Sequence, residues 1–351
     1  MIQSVQSLRF LFIMLVIFSH IYGKVFDFGG ECGVSFFFIL SGFILSYAYG
    51  KKVLDGNFQT MAFVKRQLTK FYPLHLLTFV VMVVLDARLN CYYEWYRLLP
   101  NALLLQSWIP DDSFFFVANG SSWFLSDLLF FYLIFAVAFR LLVQMSHRQL
   151  LLLGLVTAGV YSLLALSIPL EKVNAVLYAS PATRVIDFCI GILCFRLYAS
   201  DRWLQVRDKL QTMSAWSVSL IELAMVAMVI CSFFVYEHAS LRFRCVALFW
   251  LVLPLFLMVY VSTDKASGVV TRLLHHPSMQ WLGNISFELF LTHWITLRIT
   301  YSVMLSLGYG ETVRKQALVL ILTLTLLVVV SYLAKRCFVD PVGQKLRSYI
   351  K

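Results

Sequence analysis

Two ionisable residues, Arg9 and His20, stand eleven positions apart in the apolar run LRFLFIMLVIFSHIYG near the start of the chain. At about 100° per residue, an eleven-residue step returns to the same helix face roughly 16 Å further along the axis. A charged side chain at the centre of a bilayer costs about 2.5–3.5 kcal/mol on insertion scales, so two on one stripe belong against the protein interior or a wet cavity. The stripe reads as one wall of an active site.

Further polar residues interrupt the apolar sequence in compact clusters. Residues 33–43, GVSFFFILSGF, set Gly33, Ser35, Ser41 and Gly42 among phenylalanines; small residues let helices approach closely or let a ligand touch backbone. Residues 63–75, FVKRQLTKFYPLH, carry Lys65, Arg66 and Lys70 just before Tyr72 and Pro73, where a helix is expected to start. These cations are either positive-inside anchors or a site for phosphates at a helix N-terminus. In SSWFLSDLLFFYL, Asp127 follows Trp123 by four residues. The carboxylate could orient a histidine or hold a sugar hydroxyl, and the indole could stack on a sugar or sit in the interfacial aromatic belt. In SPATRVIDFCIGIL, Arg184 and Asp187 are spaced i, i+3 and can pair with each other. WLGNISFELFLTHWITLR places Glu288 and His293 five apart, on different faces near mid-membrane. That histidine is either a satisfied structural donor or part of the chemistry.

The elements that must position these residues follow from composition. With 60% hydrophobic and 13% charged residues in 351, the chain has too little polar surface to cover a soluble globule. Apolar stretches near bilayer length recur throughout, and the pattern predicts an all-α polytopic membrane protein with about ten spans. They fall at residues 7–24, 33–49, 71–86, 123–145, 149–168, 182–199, 214–236, 241–262, 284–305 and 315–337. An even count puts both termini on one side. That side holds about 18 basic residues against about 8 on the other, so the termini are expected in the cytoplasm, and the protein in the inner (plasma) membrane. The basic set includes Lys51, Lys52, Arg202, Arg207, Lys209, Lys335, Arg336, Lys345, Arg347 and Lys351. The net charge of +11 is then a topology signal, and a nucleic-acid partner is not expected. The first span has no Lys or Arg in its n-region and no small-residue cleavage site, so it is expected to remain in place. Seven scattered cysteines without a CxxC pair argue against a disulfide framework or a zinc site. Residues 1–351 read as one membrane domain.

These pieces, in order, resemble acyltransferase family 3, membrane-bound enzymes that O-acetylate bacterial surface carbohydrates. The resemblance runs from residue 7 to about 341 through SLRF…H, GVSFFFILSGF, the basic stretch ending in YP, WFLSDLLFFY, PATRVIDFCIGI and LGNISFELFLTHW. It implies an acyl-CoA substrate, an internal tunnel, and His20 as the catalytic histidine with Arg9 as its partner. The chain departs from the family pattern at three places. Gln67 stands at the usual second basic position, with Arg66 beside it. Leu128 stands where a glutamate is common, with Asp127 beside it, and Val339 precedes Asp340 near the end of the last span.

The resulting expectation is a single mechanism. The nucleotide of acyl-CoA binds at the cytoplasmic mouth through Arg66, Lys70 and Lys65, and the pantetheine arm rises toward His20. His20 deprotonates a hydroxyl of a surface polysaccharide or lipid-linked glycan presented from outside; a covalent acyl-histidine is the variant. Ser41 and Arg184 hold the acyl donor or the oxyanion, while Trp123, Asp127 and His293 line the acceptor side. Membrane lipid surrounds the protein, and no metal is required. A transporter or flippase for a surface glycan or lipid precursor is the rival reading. It would normally carry repeat symmetry and broken helices in corresponding halves, which the sequence does not display.

Overall fold

The computed structural model describes residues 2–21, 29–239, 248–266, 268–306 and 317–348, and among them the chain is helical with no strand. Helices α1 (Gln3–Ile21), α2 (Gly30–Leu54) and α3 (Thr60–Arg88) come first. An outer loop segment with the short helices α4 (Trp95–Ala102) and α5 (Asp112–Phe115) leads into α6 (Trp123–Gln144) and α7 (His147–Ser167). Then follow α8 (Pro181–Tyr198), α9 (Asp201–Thr212), α10 (Ala215–His238), α11 (Phe249–Ser262), α12 (Val269–Leu274) and α13 (Pro277–Asn284). Helices α14 (Ser286–Ser306), α15 (Ala317–Ala334) and α16 (Asp340–Ser348) complete the chain.

Seven of these stretches are long and apolar enough to cross a membrane. An eighth forms if Leu170–Tyr178 and α8, bent by 42° at the break, count as one span. The two remaining expectations behave differently. Of residues 241–262, the described part is the 14-residue helix α11, and 241–247 lie outside the described residues. Residues 284–305 do form a long helix, α14, but Glu288, His293 and Arg298 lower its apolar content below that of a plain span. Residues 22–24 and 315–316 of the expected first and tenth spans, the Arg347 side chain and Lys351 also lie outside the described residues.

The boundary of α3 corrects one expectation. The helix starts at Thr60 and carries Pro73 inside it, so Lys65, Arg66 and Lys70 lie within its early turns and not ahead of its N-terminus. Proline inside a membrane helix is tolerated when neighbouring groups satisfy the freed carbonyl.

The helices that carry the polar clusters pack at the centre. The α2–α8 contact is close because Gly42 faces the carbonyl of Phe188, and Gly191 faces that of Ile39; a Cβ at either position would overlap the opposing backbone. This is how small residues join membrane helices. At the other extreme, α7 exposes Leu151, Leu152, Leu155, Val156 and Leu163 and buries only Tyr161 and Ala165, the pattern of a helix facing lipid. Two buried or half-buried acids serve as caps. Asp264 accepts from the Ser4 N–H at 2.7 Å at the start of α1, and Glu222 accepts from the Val270 N–H at 2.9 Å at the start of α12.

Candidate active site

The C-terminal end of α1 opens onto a cavity of about 210 Å³. His20 and Ser19 of α1, Glu31 and Val34 of α2, and Phe116, Trp123, Asn174 and Tyr178 are among the residues that line it. Asn174 and Tyr178 belong to a π-helical turn, a local geometry that widens the helix and turns side chains into a site. His20 is exposed at this rim, whereas Trp123 is buried and meets the Tyr178 ring edge-on at 5.0 Å.

His20 does not stand alone. Its ring lies 5.2 Å from that of His293 and 4.8 Å from that of Trp294, both on α14. His293 is fully buried, and its Nδ1–H donates to the Phe290 carbonyl at 2.6 Å. A neutral imidazole that donates from Nδ1 carries its lone pair on Nε2. The structure gives that Nε2 no hydrogen-bond partner. The same turn of α14 is held from the outer loop: Asn119 donates to the Leu291 carbonyl at 2.9 Å and to Thr78 Oγ1 at 3.0 Å, while Ser121 donates to Asn119 Oδ1 at 2.9 Å. Ala118, just before Asn119, sits at φ 54°, in the left-handed region. A non-glycine residue there stores about 1–3 kcal/mol of strain, which the surrounding contacts must sustain.

Beside the cavity is a buried charge cluster. Arg184 is fully buried, 3.4 Å from Asp187 Oδ2, and donates to Ser35 Oγ at 3.1 Å. Its guanidinium lies over the rings of Phe38 at 4.9 Å and Tyr178 at 5.7 Å. Asp187 also accepts from the Trp250 indole at 3.2 Å. Asp127, fully buried on α6, is within electrostatic reach of Arg184, and neither of its carboxylate oxygens has a hydrogen-bond partner. Two carboxylates around one guanidinium leave capacity to bind a further hydrogen-bond donor or proton.

The other end of α1 has a different character. Glu288 and Tyr132 are within electrostatic reach of Arg9, and Glu288 pairs with Lys335 at 3.5 Å. The Tyr132 ring lies 5.6 Å from Phe63 and 6.2 Å from Phe71, which flank the basic stretch of α3. In that stretch Lys65, Arg66 and Lys70 are all exposed; Arg66 donates to Tyr49 Oη at 3.3 Å and Lys70 to Gln67 Oε1 at 3.1 Å. Tyr132 therefore joins the segment of α3 that carries the cations to the Arg9 end of the stripe.

Of the residues the sequence singles out, the structure gathers His20 and Trp123 at the cavity, with His293 buried against the His20 ring and Arg184 and Asp127 next to the site. Arg9 is three turns away, and Lys65, Arg66 and Lys70 are grouped near its end of the bundle. Ser41 bonds to the Phe37 carbonyl of its own helix at 2.7 Å; the serine that meets Arg184 is Ser35. Sequence reasoning passed over Glu31, Tyr178, Trp294 and the Asn119–Ser121 pair. Glu31, a carboxylate two residues before the small-residue motif, was a readable signal; the others become visible only through tertiary contact.

The pattern of the family described as an acyltransferase domain (Acyl_transf_3) matches residues 2–336. The chain is 27% identical over 303 residues to Acyltransferase MdmB of Streptomyces mycarofaciens, covering 80% of this chain and 72% of that protein. A shorter segment of 49 residues is 43% identical to Protein 2 in picA locus of Rhizobium radiobacter, 14% of this chain and 26% of that one. No solved structure matches the chain. With a match that runs nearly end to end and takes in every polar cluster described above, this multi-helix membrane chain belongs to acyltransferase family 3 and is an acyltransferase.

Proposed function

We propose that this acyltransferase moves an acyl group, acetyl foremost, from acyl-CoA on the cytoplasmic side to a hydroxyl of a cell-surface carbohydrate or its lipid-linked precursor. The protein sits in the inner membrane on about ten spans with both termini cytoplasmic. The observation that carries this reading is the division of α1. Through Tyr132 its Arg9 end neighbours the segment of α3 that carries the exposed cations, and its His20 end opens on a cavity with hydroxyl, amide and aromatic groups.

In this mechanism Arg66, Lys70 and Lys65 receive the nucleotide phosphates, and Arg9 meets a phosphate or carbonyl on the way in. The acceptor packs against Trp123, with Asp127 and His293 on its side of the site. His20 takes the proton of the acceptor hydroxyl as the oxygen attacks the thioester carbon. Arg184, steadied by Ser35 and Asp187, stabilises the tetrahedral oxyanion, and Ser41 contributes on the donor side. The C–S bond then breaks, and the leaving thiolate takes the proton from His20, which regenerates the neutral imidazole and yields CoA thiol and ester.

The test is binding and product together. In detergent, CoA should raise the melting temperature of the purified protein. Surface glycans from cells carrying the gene should be heavier by an acyl group than those from cells without it. Absence of CoA protection together with unchanged glycan masses would contradict the proposal.

A further inference from the structure

The geometry points to His293 as a positioning residue for His20: its Nε2 receives the N–H of the His20 imidazolium while that ring holds the acceptor's proton. The inference rests on His20 as the proton acceptor in the reading above.

Three observations carry it. The first is proximity: the ring centroids are 5.2 Å apart, near enough for a rotation of the exposed His20 side chain to carry its N–H to His293 Nε2. The second is directionality. The Nδ1–H of His293 is committed to the Phe290 carbonyl, so only Nε2 is free to accept, and this fully buried atom has no partner. A buried acceptor left unpaired costs about 1–3 kcal/mol, a cost removed when a donor arrives. The third is rigidity. The Asn119 and Ser121 side chains tie the outer loop to the Phe290–Leu291 turn of α14, and the strained Ala118 precedes them, so His293 sits on a braced element and not on a free helix surface.

The consequence is a base and its orienting acceptor, with a single proton moving between substrate and His20. When His20 takes the hydroxyl proton, the ring gains a second N–H; one remains directed at the reacting atoms for return to the thiolate, and the other donates to His293 Nε2. That bond turns the His20 ring toward the substrate and stabilises its charged form, as an orienting acceptor does for a base. His293 neither gains nor loses a proton over the cycle. It acts through its contact with the His20 ring, which separates it from a residue that only lines the acceptor side.

The test uses the full-length chain in inverted membrane vesicles from expressing cells, which retain the endogenous acceptor, supplied with labelled acetyl-CoA. His293→Leu removes the acceptor atom, and His293→Gln keeps an oxygen near the Nε2 position. The expected result is a maximal rate lowered about 100-fold by His293→Leu with KM for acetyl-CoA within about twofold, and recovery to within about tenfold of wild type by His293→Gln. A wild-type maximal rate in His293→Leu would overturn the inference. So would glutamine doing no better than leucine, with both variants folded by melting temperature or both destabilised alike, since this marks a packing role. His20→Ala run alongside separates the two levels: full turnover in that variant overturns the His20 assignment itself, whatever His293 does.

Discussion

Arg184 and Asp187 illustrate how much one pair of residues can settle. Their i, i+3 spacing announced an ion pair, and the structure buries both completely, with Ser35, Trp250 and two aromatic rings as company. Removing one member of such a pair leaves an uncompensated buried charge, at about 3–5 kcal/mol. Asp187→Ala should therefore lower the melting temperature in detergent by several degrees and reduce the yield of folded protein; an unchanged melting curve would mean the pair is not buried as described. The exposed cations call for the opposite signature. Arg66→Ala with Lys70→Ala should raise KM for acyl-CoA about tenfold or more and leave the rate at saturation nearly intact, the mark of lost uniform binding. If KM stays put in the double variant, these residues only anchor topology. Ser35 was harder to foresee than Arg184. It and Ser41 lie six residues apart on α2, and nothing in their spacing tells which of them faces α8.

Among the elements, the long uninterrupted apolar helices are legible in the sequence. The fifth span, expected at 149–168, is α7 at His147–Ser167, started by a capping box in which Ser146 and Gln149 bond reciprocally. The fourth, expected at 123–145, is α6 at Trp123–Gln144. The third was misjudged because Pro73 resembles a helix start, yet inside the bundle a proline can sit mid-helix and the chain stays helical from Thr60. The loop between α3 and α6 left no signal of its order. Its bonds run from His75 to the Asn101 carbonyl, from Ser107 to the Trp123 carbonyl and from Gln106 to Ser122, all set by the folded chain. The small residues of the second span, by contrast, permit close helix approach or contact of a ligand with backbone, and at Gly42 the α2–α8 contact uses the first. Gly191→Ala should consequently destabilise by about 1–3 kcal/mol through overlap with the Ile39 carbonyl. Gly154→Ala on the lipid-facing α7, where a Cβ meets nothing within 4 Å, should be neutral or mildly stabilising. Equal melting temperatures for the two variants would contradict the packing described here.

At the scale of the whole molecule, the account depends on direction: donor from the cytoplasm, acceptor from outside, and one helix connecting them. Levels along the bundle agree internally. Arg9 neighbours Glu288 early in α14, and His20 meets His293 later in the same helix, so α1 and α14 run the same way. The side of the membrane is testable separately. With native Cys91 replaced, a cysteine placed in segment 51–60 should escape an impermeant maleimide on intact cells, and one at 110–118 should react; the reverse would invert the topology and move His20 to the cytoplasmic leaflet. The most direct measurement of the central claim is transfer itself. Sealed inverted vesicles, given labelled acetyl-CoA on their outer, cytoplasmic face, should deposit label on glycan protected in the lumen when the chain is wild type. With His20→Ala, expressed and folded to the same extent, the lumenal label should fall to background, whereas label at the wild-type rate in that variant would contradict the account.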